Sequence, residues 1–241
     1  MRALSEAWFE FKGIRSTDMG IYLRAMPTRT IPGRNYKRQK VSGRDGTVRQ
    51  GDGTYSDVTV KIECDVHDET RLPEILTWLS GEGQLIFSDE PNLAYEASIE
   101  KEFTRSSVIP RFTAQRFTVT WTCEPFRAIV PPPSPIVITR NGETFINPGT
   151  IYSLPAVKIA GSGNFMVTIG METMFFTDIT DGVIVDSALM DAFTYDGALT
   201  CNDNVSGQPF RIRPGLNAVS WALEDGAYIS SIEITPRWRC I

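Results

Sequence analysis

The chain has 241 residues, 41% of them hydrophobic and 22% charged, with a net charge of -5. That composition is globular and long enough to bury a core, so it excludes disorder and collagen-like order. No apolar run approaches the roughly 20 residues a bilayer requires, and the opening MRALSEAWFEF lacks the apolar stretch of a signal peptide. Neither membrane insertion nor secretion is expected. Four cysteines, Cys64, Cys123, Cys201 and Cys240, lie far apart with no CxxC pair, which argues for reduced thiols rather than a disulfide framework or a zinc site. The single histidine, His67, excludes multi-histidine metal sites and leaves any serine triad one possible base.

The charge is unevenly spread. Residues 1 to 60 hold 11 Lys/Arg against 6 Asp/Glu, a balance of +5, and the remaining residues hold 13 against 23, a balance of -10. The basic excess peaks at Arg29, Arg34, Lys37, Arg38, Lys40, Arg44 and Arg49. Asp45 alone interrupts the run in charge; nucleic-acid binding is one reading of it, but Tyr36 is its only aromatic, and base stacking needs more than that. A solvated hairpin face and a charged protein contact are the other two readings.

Along the chain, Asp45-Gly46, Asp52-Gly53, Asn141-Gly142, Asp181-Gly182, Asp196-Gly197 and Asp225-Gly226 all suit tight hairpin turns. Between them run strands of period two, among them Phe117, Val119 and Trp121 alternating with Thr118, Thr120 and Thr122. Val157-Lys158-Ile159, Phe165 to Ile169 and Phe210-Arg211-Ile212 repeat the pattern, with Gly161-Ser162-Gly163 read as a turn between two of them. One segment departs from it: Leu72, Ile75, Leu76 and Leu79 follow helical spacing. They predict a helix of about three turns, capped by Asp68 or Thr70 and ended by Gly81, with Trp78 beside its buried stripe. Pro131-Pro132-Pro133-Ser134-Pro135 forbids a central strand and marks a stiff spacer. The expectation is a mainly β protein, with a β-rich unit carrying one short helix at residues 1–130, a linker at 131–135 and an antiparallel β-sandwich at 136–241.

Motifs for chemistry are few. Asp178, Asp181, Asp186, Asp191, Asp196 and Asp203 do not match a calcium loop and sit beside turns, and no carboxylate pair is singled out as a glycosidase dyad. Gly43 to Gly46 lacks the lysine and length of a phosphate loop. Trp221, Tyr228 and Trp238 could stack on sugars but equally suit a core. No catalytic residue, cofactor or metal is expected. A carbohydrate-binding module and a carboxylate-based glycan hydrolase are the alternative functional classes.

Residues at the N-terminus are more specific. Phe9-Glu10-Phe11-Lys12-Gly13-Ile14-Arg15-Ser16 and Asp18-Met19-Gly20-Ile21 resemble the opening of the distal tail proteins of long, non-contractile-tailed bacteriophages. Further stretches agree in the same order. Val41-Ser42-Gly43-Arg44-Asp45-Gly46 is similar to that family's Pro-Gly-Arg-Asp-Gly-type turn, with Ser42 in place of the proline. Trp78 to Asp89, Tyr95-Glu96-Ala97 and Cys123-Glu124-Pro125 follow in the first unit. Asn147-Pro148-Gly149-Thr150, Leu154 to Gly161, Pro214-Gly215-Leu216-Asn217 and Ile232 to Trp238 follow in the second.

The resemblance implies an N-terminal belt domain forming a six-membered ring at the virion tail tip, and a galectin-like C-terminal sandwich projecting from it. Assembly would take place in the host cytoplasm, without enzymatic activity. The implied partners are the chain's own copies, the tail-tube protein, and the tail-tip or baseplate proteins that carry receptor-binding parts, around a channel for DNA. On this reading Arg34, Lys37, Arg38, Lys40 and Arg44 face a neighbouring subunit or a tube ring rather than nucleic acid. An acidic chain suits a lumen through which DNA slides, because basic walls would hold phosphates. The galectin-like label does not imply sugar binding. Trp221-Ala222-Leu223-Glu224 is similar to part of the galectin motif, but Gly226 stands where its arginine would be, and the only histidine lies in the other unit.

Overall fold

The computed structural model describes residues 7–66, 68–100, 104–106 and 115–241. The chain divides into two compact units, residues 1–130 together with Ile241, and residues 131–240. Both are built of antiparallel β-structure, and the chain is mainly β with a single α-helix among the described residues.

The first unit contains β1 (Phe9–Phe11), β2 (Ile14–Arg15), β3 (Ile21–Leu23), β4 (Arg34–Gln39), β5 (Val48–Tyr55), β6 (Val58–Val66), α1 (Leu72–Leu79), β7 (Gly81–Phe87), β8 (Leu93–Ile99), β9 (Thr104–Ser106), β10 (Gln115–Cys123) and β11 (Arg127–Ile129). Its main sheet runs in the order β2-β1-β7-β8-β10-β6-β3, with β9 beside β10 and β11 beside β8. The strands β6 and β10 pair over their full length, from Val58↔Cys123 to Val66↔Gln115. Alternation places Val58, Val60, Ile62, Cys64 and Val66 on the same buried face as Phe117, Val119, Trp121 and Cys123. Phe9 meets Trp121 edge-on at 5.2 Å and stacks on Trp78 at 5.7 Å, so three aromatics from β1, α1 and β10 close this core.

The helix is shorter than its spacing predicts. A 3-10 turn at Glu69–Arg71 precedes it, and Asp68 caps that turn by accepting from the Thr70 amide at 3.0 Å and the Thr70 hydroxyl at 2.6 Å. The helix keeps eight residues and buries Leu72, Ile75, Trp78 and Leu79. Trp78 takes the place expected of Leu76, which is 41% exposed. The indole decides this: its Nε1 donates to the Phe11 carbonyl at 3.0 Å, and its rings stack on Phe9. The chain leaves the helix through Ser80, and Gly81 with φ +80° already begins β7.

The second unit contains β12 (Ile136–Ile138), β13 (Thr144–Asn147), β14 (Ala156–Ile169), β15 (Glu172–Ile179), β16 (Val183–Asp186), β17 (Asp191–Thr194), β18 (Val205–Gly207), β19 (Gly215–Leu223) and β20 (Tyr228–Thr235). The 14-residue β14 serves two sheets. Its first half pairs with β16 and β20, and its second half with β15 and β19. Gly161-Ser162-Gly163, read from sequence as a turn, is therefore the kink inside one continuous strand, with register breaks on both sides. A Cβ on Gly161 would lie 2.3 Å from the Tyr228 carbonyl oxygen, and one on Gly163, at φ +92°, 2.8 Å from Ala227. Only glycine lets the strand bend that close to β20. Asp181-Gly182 and Asp225-Gly226 join strands that pair with opposite halves of β14, so they carry the chain between sheets instead of closing hairpins. Asp186 and Arg237 tie this unit together by a two-pronged ion pair, with both nitrogen–oxygen distances at 2.7 Å.

Three measurements check this account by thermal or denaturant unfolding. Ile75→Ala should cost about 2–5 kcal/mol, the range for truncating a buried aliphatic side chain, whereas Leu76→Ala should cost far less. Gly161→Ala should destabilise by about 1–3 kcal/mol because the new methyl meets backbone, while Ser162→Ala stays near wild type. The Arg237 guanidinium, with the Ala188 and Leu189 amides, holds the Asp186 carboxyl below its usual range against partial burial. A lowered folded-state pKa contributes stability above the unfolded value, near ~4, that is lost as pH falls through the folded value. Arg237→Met should therefore lower the melting temperature at pH 7 and lose less than wild type on acidification toward pH 3.

Candidate assembly interface

The basic run folds into an arm. β4 and β5 form a two-stranded sheet of their own, separate from the main sheet. Its ladder pairs Arg34↔Tyr55, Tyr36↔Gly51, Lys37↔Gln50, Arg38↔Arg49 and Gln39↔Val48. Asp52-Gly53, expected as a hairpin turn, is a bulge inside β5, where the register shifts opposite Asn35. Asp52 Oδ1 accepts from the Thr54 amide at 2.9 Å and its hydroxyl at 2.7 Å, and Gly53 supplies φ +81°. The true connection is the loop 40–47, where Asp45-Gly46 lies and the Arg44 amide donates to Val41.

The root of the arm is anchored and its length is not. Tyr55 packs edge-on against Phe126 at 4.9 Å, and Arg34 lies over the Tyr55 ring and donates to its hydroxyl at 3.0 Å. Beyond that point Lys37, Arg38, Lys40, Arg44 and Arg49 are all exposed. Strand alternation puts Arg38 and Arg49 on one face and Lys37 on the other, so the five residues singled out from sequence do not share one face. The structure also adds Arg49, whose place opposite Arg38 depends on a register that composition does not reveal.

Two like charges directly opposite each other weaken a hairpin, and an isolated pair of strands is marginal in water. The contrast with the rest of the unit is sharp. Arg15, Arg24, Arg29, Arg71, Arg116 and Arg127 each lie within 4 Å of a carboxylate of the same unit. Arg29, counted with the basic excess, reaches Asp89 at 2.6 Å and Glu90 at 3.0 Å. No carboxylate among the described residues lies within 4 Å of the charged groups of Lys37, Arg38, Lys40, Arg44 or Arg49, although the Lys37 charge helps to hold the Asp52 carboxyl below its usual range.

The other candidate groups have structural surroundings. Asp186 holds Arg237, Asp191 accepts from Asn202 at 2.9 Å, and Asp196 accepts from the Thr194 hydroxyl and the Ala198 amide. Among the described residues no three His, Cys, Asp or Glu side chains are arranged to hold a metal ion. Trp238 is buried and stacks near Phe145, Trp221 is half-buried and Tyr228 exposed, so these aromatics do not form one exposed platform. Burial pushes the Cys64 and Cys123 thiols up to about 12, which keeps both protonated near neutral pH. His67 lies outside the described residues.

No family model and no curated protein matches this sequence. Among solved structures, the chain is similar to the Dit protein (gp 19.1) of phage SPP1, described as a paradigm of the hub adsorption apparatus in phages that infect Gram-positive bacteria. The TM-score is 0.74 at 13% identity, over 95% of this chain and 97% of that one. At that identity the two chains have a fold in common, and they have it from end to end.

Proposed function

We propose that this chain is a structural hub of a bacteriophage tail tip. Its first unit acts as a belt that assembles head-to-tail into a ring of six, joining the tail tube to the proteins of the tip, with a central channel for DNA. Its second unit is a galectin-like sandwich displayed from that ring. The observation that carries this reading is the correspondence with the SPP1 Dit fold across nearly the whole length of both chains. A partial match would license only a domain, whereas this one extends over 95% of this chain and 97% of the other.

The arm supports the same reading. A ring made by one kind of subunit needs two different surfaces that recognise each other, and closes when the rotation per subunit divides a full circle. A row of exposed cations with no carboxylate within 4 Å among the described residues is suited to be one of those surfaces. Nucleic acid is the weaker partner for it, because the chain as a whole is acidic and, of the two tyrosines in β4 and β5, Tyr55 is packed on Phe126, which leaves Tyr36 alone for stacking.

Negative-stain electron microscopy of the purified protein at micromolar concentration tests the proposal directly. Six-fold rings with a hole wide enough for duplex DNA are expected. Replacing Lys37, Arg38 and Lys40 together by glutamate should raise the concentration needed for assembly at least about tenfold, since exposed pairs contribute roughly 0–1 kcal/mol each. The melting temperature should hold, because all three side chains are exposed. A variant that still builds normal rings removes the arm from the interface, and a wild-type protein that stays monomeric while retaining a glycan supports a sugar-binding module instead.

A further inference from the structure

The arm has a counterpart on its own chain. On the outer face of the main sheet, where β7, β8 and β10 run side by side, a shallow groove of about 360 Å³ carries the carboxylates of Asp57, Glu82, Glu96, Glu100 and Glu124. Among the described residues no lysine or arginine lines it. The register explains the clustering: Glu82 is opposite Ser98 and Gln84 opposite Glu96, so residues pointing away from the core alternate into one strip. Within it Glu96 accepts from Gln84 at 2.9 Å, and Glu100 is near the hydroxyls of Ser98 at 3.2 Å and Thr122 at 3.5 Å. No ion pair reaches any of the five carboxylates among the described residues. Such a concentration of like charge in a sheet that is otherwise carefully paired raises the energy of the free subunit and is relieved by a cation-bearing partner.

We propose that the basic arm of one subunit lies across this acidic groove of the next, so that Lys37, Arg38, Lys40, Arg44 and Arg49 meet Asp57, Glu82, Glu96, Glu100 and Glu124. This rests on the ring reading above and names the two surfaces that close it. No arm side chain pairs with a groove carboxylate inside the described chain, although Asp57 follows the end of β5 by two residues. An eight-residue strand spans roughly 25 Å, so the arm extends well past its own root and can reach a neighbour. Neither surface can recognise a copy of itself, since arm against arm and groove against groove both set like charges together. The contact is therefore between unlike surfaces, as a head-to-tail ring requires.

A charge swap tests it. The arm variant is K37E/R38E/K40E, the groove variant is E82K/E96K/E124K, and the third protein carries all six changes; every one of these side chains is exposed, and melting temperatures check that each protein folds. Assembly is followed by sedimentation velocity and electron microscopy. Each single-surface variant should need at least about tenfold more protein to assemble, and the six-fold variant should return to within about threefold of wild type. Carbodiimide treatment of a mixture of isotope-labelled and unlabelled wild-type protein should link Lys37 or Lys40 of one copy to a groove glutamate of another. Normal assembly of the groove variant beside a defective arm variant overturns the pairing and leaves the ring standing. A two-fold dimer in which the swap still rescues supports the pairing and overturns the ring. Monomers at every concentration, with no link between copies, overturn both.

Discussion

The nine-residue ladder between β6 and β10 is the constraint on which the first unit depends. It aligns two strands whose alternate side chains are apolar, and so delivers Trp121 to the place where Phe9 from β1 and Trp78 from α1 can close over it. A slip of one residue would turn each of those side chains to solvent, which is why a ladder of this length with one buried face has a single register. The arm inherits its position from the same element. Only Ser56 and Asp57 separate β5 from β6, and Tyr55 rests on Phe126 just beyond the end of β10. An otherwise unsupported pair of strands is thus held at a defined root by the core beneath it, while its charged length extends free.

Burial in the second unit is organised by one strand instead of one ladder. β14 enters a sheet with β16 and β20, bends at Gly161 and Gly163, and continues in a sheet with β15 and β19. Sharing a strand in this way lets two sheets face each other without a long crossing loop, and both halves can present alternate residues inward: Val157 and Ile159 before the bend, Phe165, Val167 and Ile169 after it. The cost is a requirement for glycine at positions 161 and 163, since Tyr228 of β20 and Ala227 just before it occupy the space where a Cβ would project.

Electrostatics separates the parts of the protein that satisfy themselves from the parts that do not. Arg29, Arg127 and Glu90 form one internal cluster, and Arg237 with Asp186 another. Against that background the cations of the arm and the carboxylates of the β7–β8–β10 groove are excess charge of opposite sign on one chain. Exposed charges cost a monomer little in water but set the direction in which copies approach, because complementary potentials favour one docking arrangement over its like-on-like alternatives. By contrast Asp68, Asp186 and Asp196 are engaged in turns or an ion pair, and Cys64, Cys123, Trp78, Trp121 and Trp238 lie in the cores.

What the sequence by itself determined about this protein is what local periodicity and composition encode. The alternation of Phe117, Val119 and Trp121, the one helical segment, the proline run at residues 131–135, and the basic excess before residue 60 are all legible in one dimension. So is the resemblance of Phe9 to Ile21 to a tail-protein opening, which agrees with the end-to-end fold match to SPP1 Dit. Tertiary structure decided the rest. Trp78 displaced Leu76 from the buried stripe because the Phe11 carbonyl gave its N–H a partner 67 residues away. Gly161 to Gly163 and Asp52-Gly53 have the chemistry of turns, and became a strand kink and a bulge because the neighbouring strand continued past them. The groove of five carboxylates brings together residues from Asp57 to Glu124, and no window along the chain contains it. Sequence records which side chains are charged; only the register of β7, β8 and β10 decides that these charges face the same water.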